Sequence, residues 1–251
     1  MNSEKSIAAT REGFEKSFSE GVFYNKQTQH SKHLEDILDF LPIKSGMRIL
    51  DLGAGSGYLT FAVAKKYPEA EIVGLDIVKK ALAANTERAE KENIGNIKFI
   101  SYDGIYMPFA DEEFDMVITR YALHHFPDIN KSISEIRRVL KYHGIFFISD
   151  PAPNPCDTSR FIDEYMQMKK DGHIRFYTSE EWKNICSSHY FEYTGSFDSK
   201  IRFPRKKDEY PEFDDIIKKY DKNITESYDV DITDNEIYIT ENVNNMLFTA
   251  I

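Results

Sequence analysis

Apolar residues in this chain follow two spacings, one typical of strands and one typical of helices. Between residues 46 and 150, short apolar runs alternate with segments in which apolar residues recur every three or four positions. This alternation predicts the α/β class, a parallel sheet with helices on both faces. The predicted strands are 48–52, 71–75, 97–101, 114–119 and 145–149, and the predicted helices are 58–66, 78–92 and 129–140.

The flanks of this segment are less regular. Apolar residues at helical spacing predict a helix over 10–41, and Thr178 with Glu181 fits a capping box that opens a later helix. Residues 191–203 and 244–251 are predicted strands, separated by helix plus loop over 205–236. We expect a single domain over 1–251, with a helical cap at 1–45, a core at 46–150 and a carboxyl-terminal part at 151–251 that completes the sheet and shapes the substrate pocket.

Charge and composition narrow the class of partner. The 251 residues are 41% apolar and 29% charged, as in ordinary globular proteins, and the formal net charge is −10. This charge argues against a protein that neutralises nucleic-acid phosphates, so no nucleic-acid partner is expected. The basic run 200–207 is followed by the acidic stretch 208–215, and we predict that it forms a solvated face or loop.

Two further features predict a cytoplasmic protein. Nowhere do about 18 apolar residues run together, so no membrane-spanning helix is expected. The amino terminus also lacks the apolar segment that a secretory signal needs. The two cysteines, Cys156 and Cys186, fit free thiols in a reducing compartment better than a disulfide scaffold.

The most informative segment is 49–58, where a predicted strand passes into a helix. Its GxGxG pattern of Gly53, Gly55 and Gly57 lets the backbone turn tightly and lets a ligand approach closely. A dinucleotide-binding loop has a glycine at the sixth position, where this chain has Tyr58. Asp51, directly behind the loop, would repel a pyrophosphate and attract a cation. S-adenosylmethionine (SAM) carries an ammonium and a sulfonium and has no phosphate, so the segment favours SAM over a dinucleotide.

A second acid, Asp76, ends the next predicted strand, nineteen residues after Gly57. At about this spacing an acidic residue accepts hydrogen bonds from ribose hydroxyls in nucleoside-binding folds. The alternative is that Asp76 only caps the helix that follows. Because two acids flank one glycine loop, we favour the nucleoside site.

Residues 49–58 together with Asp76 resemble the class I SAM-dependent methyltransferases. Segment 101–109 is similar to the adenine loop of that family, and segment 114–126 to the fourth strand and following loop of its ubiquinone- and menaquinone-biosynthesis branch. Segment 137–144 is similar to the turn from the helix into the fifth strand. The resemblance is dense over 46–150 and implies a doubly wound, mostly parallel sheet of seven strands, the last one antiparallel.

The resemblance also implies which residues bind SAM and its product S-adenosylhomocysteine. The three glycines would admit the methionine part and Asp51 would bind its ammonium. Asp76 would bind the ribose, and Asp103 the adenine amino group. The full implied set is Asp51, Leu52, Gly53, Ala54, Gly55, Gly57, Asp76, Ile77, Tyr102, Asp103, Gly104, Arg120 and Tyr121.

Methyl transfer from a sulfonium is an in-line displacement that depends on positioning, so it needs neither a nucleophilic side chain nor a metal. If the acceptor loses a proton, His124 and His125 are the candidate bases. Alternatively, one of them packs under the loop and the other lines the cofactor pocket. Arg120 would pair either with an anionic substrate or with a surface acid. No metal is expected, although His30 and His33 lie three residues apart.

Other aromatic and imidazole side chains carry weaker signals. Phe23 and Tyr24 precede the apolar part of the first predicted helix and would form either a lid or ordinary packing. His143 and His173 are predicted to be structural or surface residues.

The acceptor is expected to be a small molecule. Enzymes of this class that methylate nucleic-acid amines carry an Asn/Asp-Pro-Pro-aromatic motif after the fourth strand, where this chain has Thr119-Arg120-Tyr121. Carbon, oxygen and nitrogen acceptors all remain open, as does the choice between monomer and homodimer. The alternatives are a SAM-binding sensor or partner subunit without catalysis, an NAD(P)-dependent oxidoreductase, and methylation of protein or RNA, which only the basic run supports.

Overall fold

The computed structural model describes residues 3–19, 31–168 and 171–251. Within these ranges an eight-stranded sheet lies at the centre, with the order β3-β2-β1-β4-β5-β8-β6 and a short β7 beside β8. The first five strands are parallel, whereas β8 is antiparallel to both β5 and β6. The strands are β1 Arg48–Leu52, β2 Glu71–Asp76, β3 Ile97–Ser101, β4 Phe114–Arg120, β5 Leu140–Ala152, β6 Phe191–Lys206, β7 Asp231–Ile232 and β8 Glu236–Ala250.

Helices cover both faces of this sheet, because neighbouring residues of a strand point in opposite directions. Leu50 of β1 belongs to the apolar core formed with α5 and α7, whereas Ile49 belongs to the core formed with α2 and α3. The helices are α1 Ser3–Ser19, α2 Ser31–Phe40, α3 Tyr58–Lys66, α4 Lys79–Lys91, α5 Ile129–Val139, α6 Phe161–Gln167, α7 Ser179–Ser188, α8 Phe213–Lys219 and α9 Lys222–Glu226, with 3₁₀ turns at Leu123–His125 and Lys207–Glu209.

The predicted α/β class and the doubly wound arrangement with its last long strand antiparallel are confirmed. The sheet has one strand more than the seven implied, because the two residues of β7 pair with β8. The strand order reverses between β1 and its neighbours β2 and β4, which opens a crevice at their carboxyl ends. The capping box is also confirmed: Thr178 Oγ1 accepts from the Glu181 amide at 3.1 Å, and Glu181 Oε2 accepts from the Thr178 amide at 2.8 Å.

The basic run 200–207 is a strand rather than a loop, with Lys200, Arg202 and Lys206 on a solvated face as predicted and Arg205 as the exception. Most of this run belongs to β6, which pairs with β8 along its whole length, from Phe191 opposite Ala250 to Lys206 opposite Glu236. The side chain of Arg205 is only 11% exposed and lies 3.0 Å from Glu241 Oε1. The strands predicted at 191–203 and 244–251 were too short for the same reason, since ladder pairing continues through these polar residues.

The carboxyl-terminal part has an apolar core of its own. Phe161 and Tyr165 of α6 pack with Phe213 of α8 and with Ile237 and Ile239 of β8. The helical content predicted for 205–236 corresponds to α8 and α9.

The described parts of the predicted helix 10–41 are helical, as α1 and α2. Residues 20–30, which include Phe23, Tyr24 and His30, lie outside the described ranges. Among the helices that the structure describes, none combines the length and the apolar character needed to cross a membrane.

Candidate cofactor and acceptor site

The glycine loop lies at the carboxyl end of β1 and is tied to the neighbouring strand. The amides of Gly53 and Ala54 both donate to the Leu75 carbonyl of β2, at 2.8 and 3.1 Å. Gly53 has φ +74°, and a Cβ at this position would lie 2.5 Å from Cβ of Ala122 in the turn after β4. The loop therefore needs glycine at this position both for its conformation and for its packing.

Asp51 lies behind the loop with its side chain buried, 2% exposed. The Thr60 hydroxyl of α3 donates to Asp51 Oδ2 at 2.5 Å. Burial raises the pKa of Asp51 to about 6, although the bond from Thr60 and the charge of Arg120 act in the opposite direction. A cation placed next to this buried carboxyl group would stabilise its ionised form.

Asp76 ends β2, and its two oxygens hold two separate backbone segments. The Gly55 amide donates to Oδ2 and the Val78 amide to Oδ1, both at 2.8 Å. Burial raises the pKa of Asp76, and these backbone hydrogen bonds oppose the rise. Asp76 thus orders the start of α4, as expected if it caps that helix. Its carboxyl oxygens also retain the capacity to accept from a further donor.

A cavity that is partly open to solvent lies beside Asp76. Phe14 and Ile7 of α1 form part of its wall, so the amino-terminal helix covers the site. Its lining residues are Ile7, Thr10, Phe14, Gly53, Asp76, Ile77, Val78, Tyr102, Gly104, Tyr121, Ala122, His125, Phe126 and Pro127.

The predicted cofactor residues are distributed over two neighbouring cavities. Six of them line the larger cavity: Gly53, Asp76, Ile77, Tyr102, Gly104 and Tyr121. Asp51, Gly53, Ala54 and Arg120 line a smaller cavity on the other side of the glycine loop, together with Ser56, Tyr58 and Leu59. Gly53 borders both cavities, so the loop separates the two acids that flank it.

Four residues of the implied set, Leu52, Gly55, Gly57 and Asp103, line neither of these two cavities. Asp103 is exposed, and its Oδ1 accepts from the amides of Ile105 and Tyr106 at 2.7 and 2.9 Å. Its carboxyl group thus holds the turn at Gly104. A Cβ at Gly104 would collide with the side chain of Ile7.

His124 and His125 are both buried and face different surroundings. His125 lines the larger cavity, with its ring 5.0 Å from that of Phe14. His124 does not line that cavity; its ring lies 4.2 Å from that of His125, and its Nδ1 lies 2.9 Å from Asp150 Oδ1. His173, which the sequence indicated as structural or surface, is buried with its ring 5.3 Å from that of His124.

Burial favours the neutral forms of these groups. It lowers the pKa of His125 to about 3 and that of His124 well below its usual value, and neighbouring imidazoles act in the same direction. It raises the pKa of Asp150 to about 8. His125 is therefore an uncharged imidazole at neutral pH, the form in which it is able to accept a proton.

Arg120 is buried, at 7% exposure. Its guanidinium lies over the rings of Tyr58 and Tyr121, 4.4 and 4.5 Å from their centroids. Its charge lowers the pKa of Asp51, which places it on the Asp51 side of the loop.

Several residues that hold the site together were missed at the sequence level. Asn85 of α4 donates to the Gly55 carbonyl at 2.7 Å, and Thr60 is the partner of Asp51. Asp150 lies at the carboxyl end of the predicted fifth strand, and this position in the sequence already indicated it as a site residue. Arg205 and Glu241, by contrast, had no such signal, because the pairing of β6 with β8 brings them together.

Among the residues that the structure describes, no group of three or more histidine, cysteine, aspartate or glutamate side chains is placed to hold a metal ion. His33 is buried, and its Nε2 lies 3.1 Å from Asn245 Oδ1.

Several known proteins of similar sequence or fold are named as methyltransferases. A family model described as a methyltransferase domain matches residues 43–198. The chain is 31% identical over 147 residues to the uncharacterized methyltransferase YcgJ of Bacillus subtilis, covering 58% of this chain and 57% of that protein. It is 30% identical over 118 residues to demethylmenaquinone methyltransferase of Geobacillus kaustophilus, covering 47% of this chain and 50% of that protein. The chain thus spans about half the length of the curated relatives it matches.

The crystal structure of YcgJ from Bacillus subtilis has a similar fold. It superimposes with a TM-score of 0.76 at 22% identity, covering 88% of this chain and 99% of that chain. At this identity the likeness concerns the fold alone.

Proposed function

The chain belongs to the methyltransferase-domain family, and from this premise we propose that it is a SAM-dependent enzyme that transfers a methyl group to a small-molecule acceptor. Its similarity to demethylmenaquinone methyltransferase agrees with the branch that the sequence resembles. The observation that carries the proposal is the pair of buried acids, Asp51 and Asp76, on the two sides of a glycine loop that admits no side chain at Gly53.

The residues present fit SAM. Asp51 has one hydroxyl partner and a raised pKa, so an ammonium next to it would stabilise its ionised form. Asp76 has acceptor capacity left for ribose hydroxyls, and the apolar walls near Tyr102 and Ile77 suit an adenine ring. Bound SAM would supply a methyl group on a sulfonium, which is electrophilic without further activation.

The chain's own contribution would be positioning and exclusion of water. Phe14 and Ile7 of α1 cover the larger cavity, and Gly53 lets the loop backbone approach the ligand. His125 lines the cavity as a neutral imidazole, and its pKa of about 3 makes it a weak base, so its contribution would be to the shape and polarity of the cavity rather than to proton transfer. Holding donor and acceptor in line accounts for roughly 7–11 kcal/mol of the barrier in well-oriented reactions.

An NAD(P)-dependent oxidoreductase fits less well. A pyrophosphate on this loop would lie between two buried carboxyl groups, and Tyr58 stands where the dinucleotide fingerprint has its third glycine. No observation favours this alternative.

Isothermal titration with S-adenosylhomocysteine, with NAD in a parallel cell, tests the cofactor assignment. We expect Asp76→Asn to weaken S-adenosylhomocysteine binding by about ten- to a hundredfold, because charge-assisted hydrogen bonds to the ribose are worth about 1.5–3 kcal/mol each. The variant should also lose some stability, since one of the amides of Gly55 and Val78 would face an Asn amide group.

Asp128→Asn is the matched control. Asp128 accepts from the Lys131 amide at the start of α5, away from both cavities, so its replacement should leave the affinity unchanged. A folded Asp76→Asn protein that binds S-adenosylhomocysteine as tightly as the wild type would remove the ribose assignment. Tight binding of NAD without response to S-adenosylhomocysteine would replace the methyltransferase by the oxidoreductase.

A further inference from the structure

A cluster of buried polar side chains adjoins the cofactor cavity on the side of the carboxyl-terminal part. We call Tyr121, Asp150, His173, Arg205 and Glu241 the polar cluster. Tyr121 connects it to the larger cavity, which this residue lines. His124 connects Asp150 with His173, through the 2.9 Å contact to Asp150 and a ring distance of 5.3 Å to His173.

Four atoms of this cluster are buried without a hydrogen-bond partner. They are Tyr121 Oη, Asp150 Oδ2, His173 Nδ1 and Glu241 Oε2. Asp150 and Glu241 are each only 1% exposed, and His173 is 7% exposed. Buried polar atoms in folded proteins almost always have partners, so several unpartnered atoms close together indicate a place that a polar ligand or water fills.

His173 is oriented by its neighbour Asp163. Asp163 Oδ1 accepts from the Phe176 amide at 2.7 Å and lies 2.9 Å from His173 Nε2. Although burial opposes it, the hydrogen bond from His173 and that amide keep the pKa of Asp163 low, so the carboxylate is ionised and only accepts. His173 Nε2 therefore donates to Asp163, and Nδ1 is the ring nitrogen without a partner.

The carboxyl groups of the cluster have too few donors. Arg205 donates to Glu241 Oε1 at 3.0 Å and also to the Tyr210 hydroxyl at 3.0 Å. Glu241 Oε2 is left without a hydrogen-bond donor. Asp150 Oδ1 lies 2.9 Å from His124 Nδ1, the backbone amides of Ala122 and His124 also donate to this carboxyl group, and Oδ2 has no partner. Burial raises the pKa of both carboxyl groups, although Arg205 opposes the rise at Glu241. A cation beside them would favour their ionised forms.

Asp150 Oδ2 and Glu241 Oε2 accept hydrogen bonds once their carboxyl groups are ionised, the state that a bound cation favours. Tyr121 Oη is able to donate or accept, and His173 Nδ1 is the fourth open atom. An anionic ligand would meet two carboxyl groups at short range, and an alcohol offers a single donor. An ammonium group offers three donors and one positive charge, which matches the open acceptors and the missing charge.

We propose that the polar cluster is the acceptor subsite and that it binds an amine, recognised as an ammonium by Asp150, Glu241 and His173. This inference rests on the proposed function, because it takes the adjoining cavity as the SAM site. It narrows the acceptor from any small molecule to one that carries a primary or secondary amino group next to the cavity lined by Tyr121 and His125.

Ligand-observed NMR titrations of the full chain saturated with S-adenosylhomocysteine test the proposal. The probes are benzylamine, benzyl alcohol and benzoate, which share a ring and differ in the polar group. At pH 7 we expect benzylamine to bind about tenfold or more tightly than the other two. Equal binding of the three probes, or a preference for benzoate, would overturn the proposal.

Replacement of one cluster carboxyl group makes the test specific. Glu241→Gln keeps an oxygen for Arg205 and removes the charge, and we expect it to weaken benzylamine about tenfold while the affinity for S-adenosylhomocysteine stays unchanged. Glu135→Gln is the control, since Glu135 is paired with Arg138 on α5. If Glu241→Gln does not fold, Asp150→Asn serves the same purpose. A folded variant that binds benzylamine like the wild type contradicts the subsite.

The two proposals fail in different ways. Absence of S-adenosylhomocysteine binding by the wild-type chain contradicts the proposed function, because that measurement involves no amine. Normal S-adenosylhomocysteine binding without amine preference contradicts the subsite alone.

Discussion

At the residue scale, the two acids of the glycine loop differ in the partners that hold them. Asp76 accepts from the backbone amides of two separate segments, whereas Asp51 is held by the hydroxyl and the backbone amide of Thr60. Both are buried, so the difference lies in hydrogen bonding. Asp76 is built into the start of α4, and Asp51 is the acid whose protonation state responds most directly to a bound cation.

The affinity for S-adenosylhomocysteine should therefore depend on pH through Asp51. In the empty protein its pKa is about 6, and an ammonium beside it favours the ionised form. Below pH 6 binding must release a proton, so the affinity should fall by up to about tenfold per pH unit between pH 6 and 5. Titration calorimetry in buffers of different ionisation enthalpy measures both the affinity and the released proton.

Two variants separate Asp51 from other titrating groups. Asp51→Asn should bind weakly at every pH from 5 to 7, with no proton released. Thr60→Val removes the hydroxyl that lowers the pKa of Asp51, so the pH dependence should move to higher pH. Wild-type affinity that is constant over this range would show that Asp51 does not meet the ammonium.

At the scale of elements, the position of the glycine loop is determined by its contact with the turn after β4. Its amides are fixed by the Leu75 carbonyl of β2, and Gly53 leaves no room for a Cβ against Ala122. Because β1 lies between β2 and β4 in the sheet, the loop joins the carboxyl ends of three strands. A change in the loop should therefore alter the cofactor site as well as stability.

Gly53→Ala and Gly46→Ala form a matched pair at this scale. Both glycines have positive φ, +74° and +77°, but only at Gly53 would the added Cβ collide, 2.5 Å from Cβ of Ala122. Gly46→Ala should cost about 1–2 kcal/mol of stability from the backbone alone and leave S-adenosylhomocysteine binding intact. Gly53→Ala should cost more and weaken binding by more than about tenfold.

Urea unfolding and titration calorimetry check both variants. If Gly53→Ala binds S-adenosylhomocysteine as well as Gly46→Ala does, the close approach at Gly53 is not a property of the cofactor site.

At the scale of the whole molecule, buried titratable groups lie where the core meets the carboxyl-terminal part. His124 and His125 follow β4, Asp150 belongs to β5, and His173 precedes α7. Burial favours the neutral forms of His124, His125 and Asp150, so folding changes the number of protons that each of these three groups holds. The free energy of unfolding must then depend on pH.

The free energy of unfolding changes with pH in opposite directions for the two histidines and for Asp150. The pKa values of His124 and His125 are depressed, so their contribution is present above about pH 6.5 and is lost as the pH falls toward 3. The pKa of Asp150 is raised to about 8, so its contribution is present at acidic pH and is lost as the pH rises from about 4 through 8. Because two imidazoles act against one carboxyl group, the combined contribution of His124, His125 and Asp150 to the free energy of unfolding should be largest near pH 6.5.

Asp150→Asn tests this dependence. The variant should lack the fall in stability between about pH 6.5 and 8, so its profile should differ from that of the wild type by up to about 1.4 kcal/mol per pH unit. Urea unfolding from pH 5 to 9 measures the difference. Parallel profiles for the two proteins would mean that Asp150 is ionised in the folded state across this range.

Much of the core could be predicted because local signals and the final packing agree there. The strands from 48–52 to 145–149 are apolar on both faces, and each glycine or acid of the SAM motif stands at a strand end, so spacing alone located the loop, Asp51 and Asp76. Outside the core, residues 191–206 and 236–250 carry mixed polar and apolar side chains, and their long pairing was only partly anticipated.

The sequence by itself determined the fold class, the family and the two acids that flank the glycine loop, because these depend on short-range spacing within 46–150. The tertiary structure decided which cavity each acid faces, that His125 rather than His124 lines the larger cavity, and that Arg205 meets Glu241 across 36 residues of sequence. Those outcomes depend on which strands pair and on what burial does to charge, and neither is encoded in the spacing of neighbouring residues.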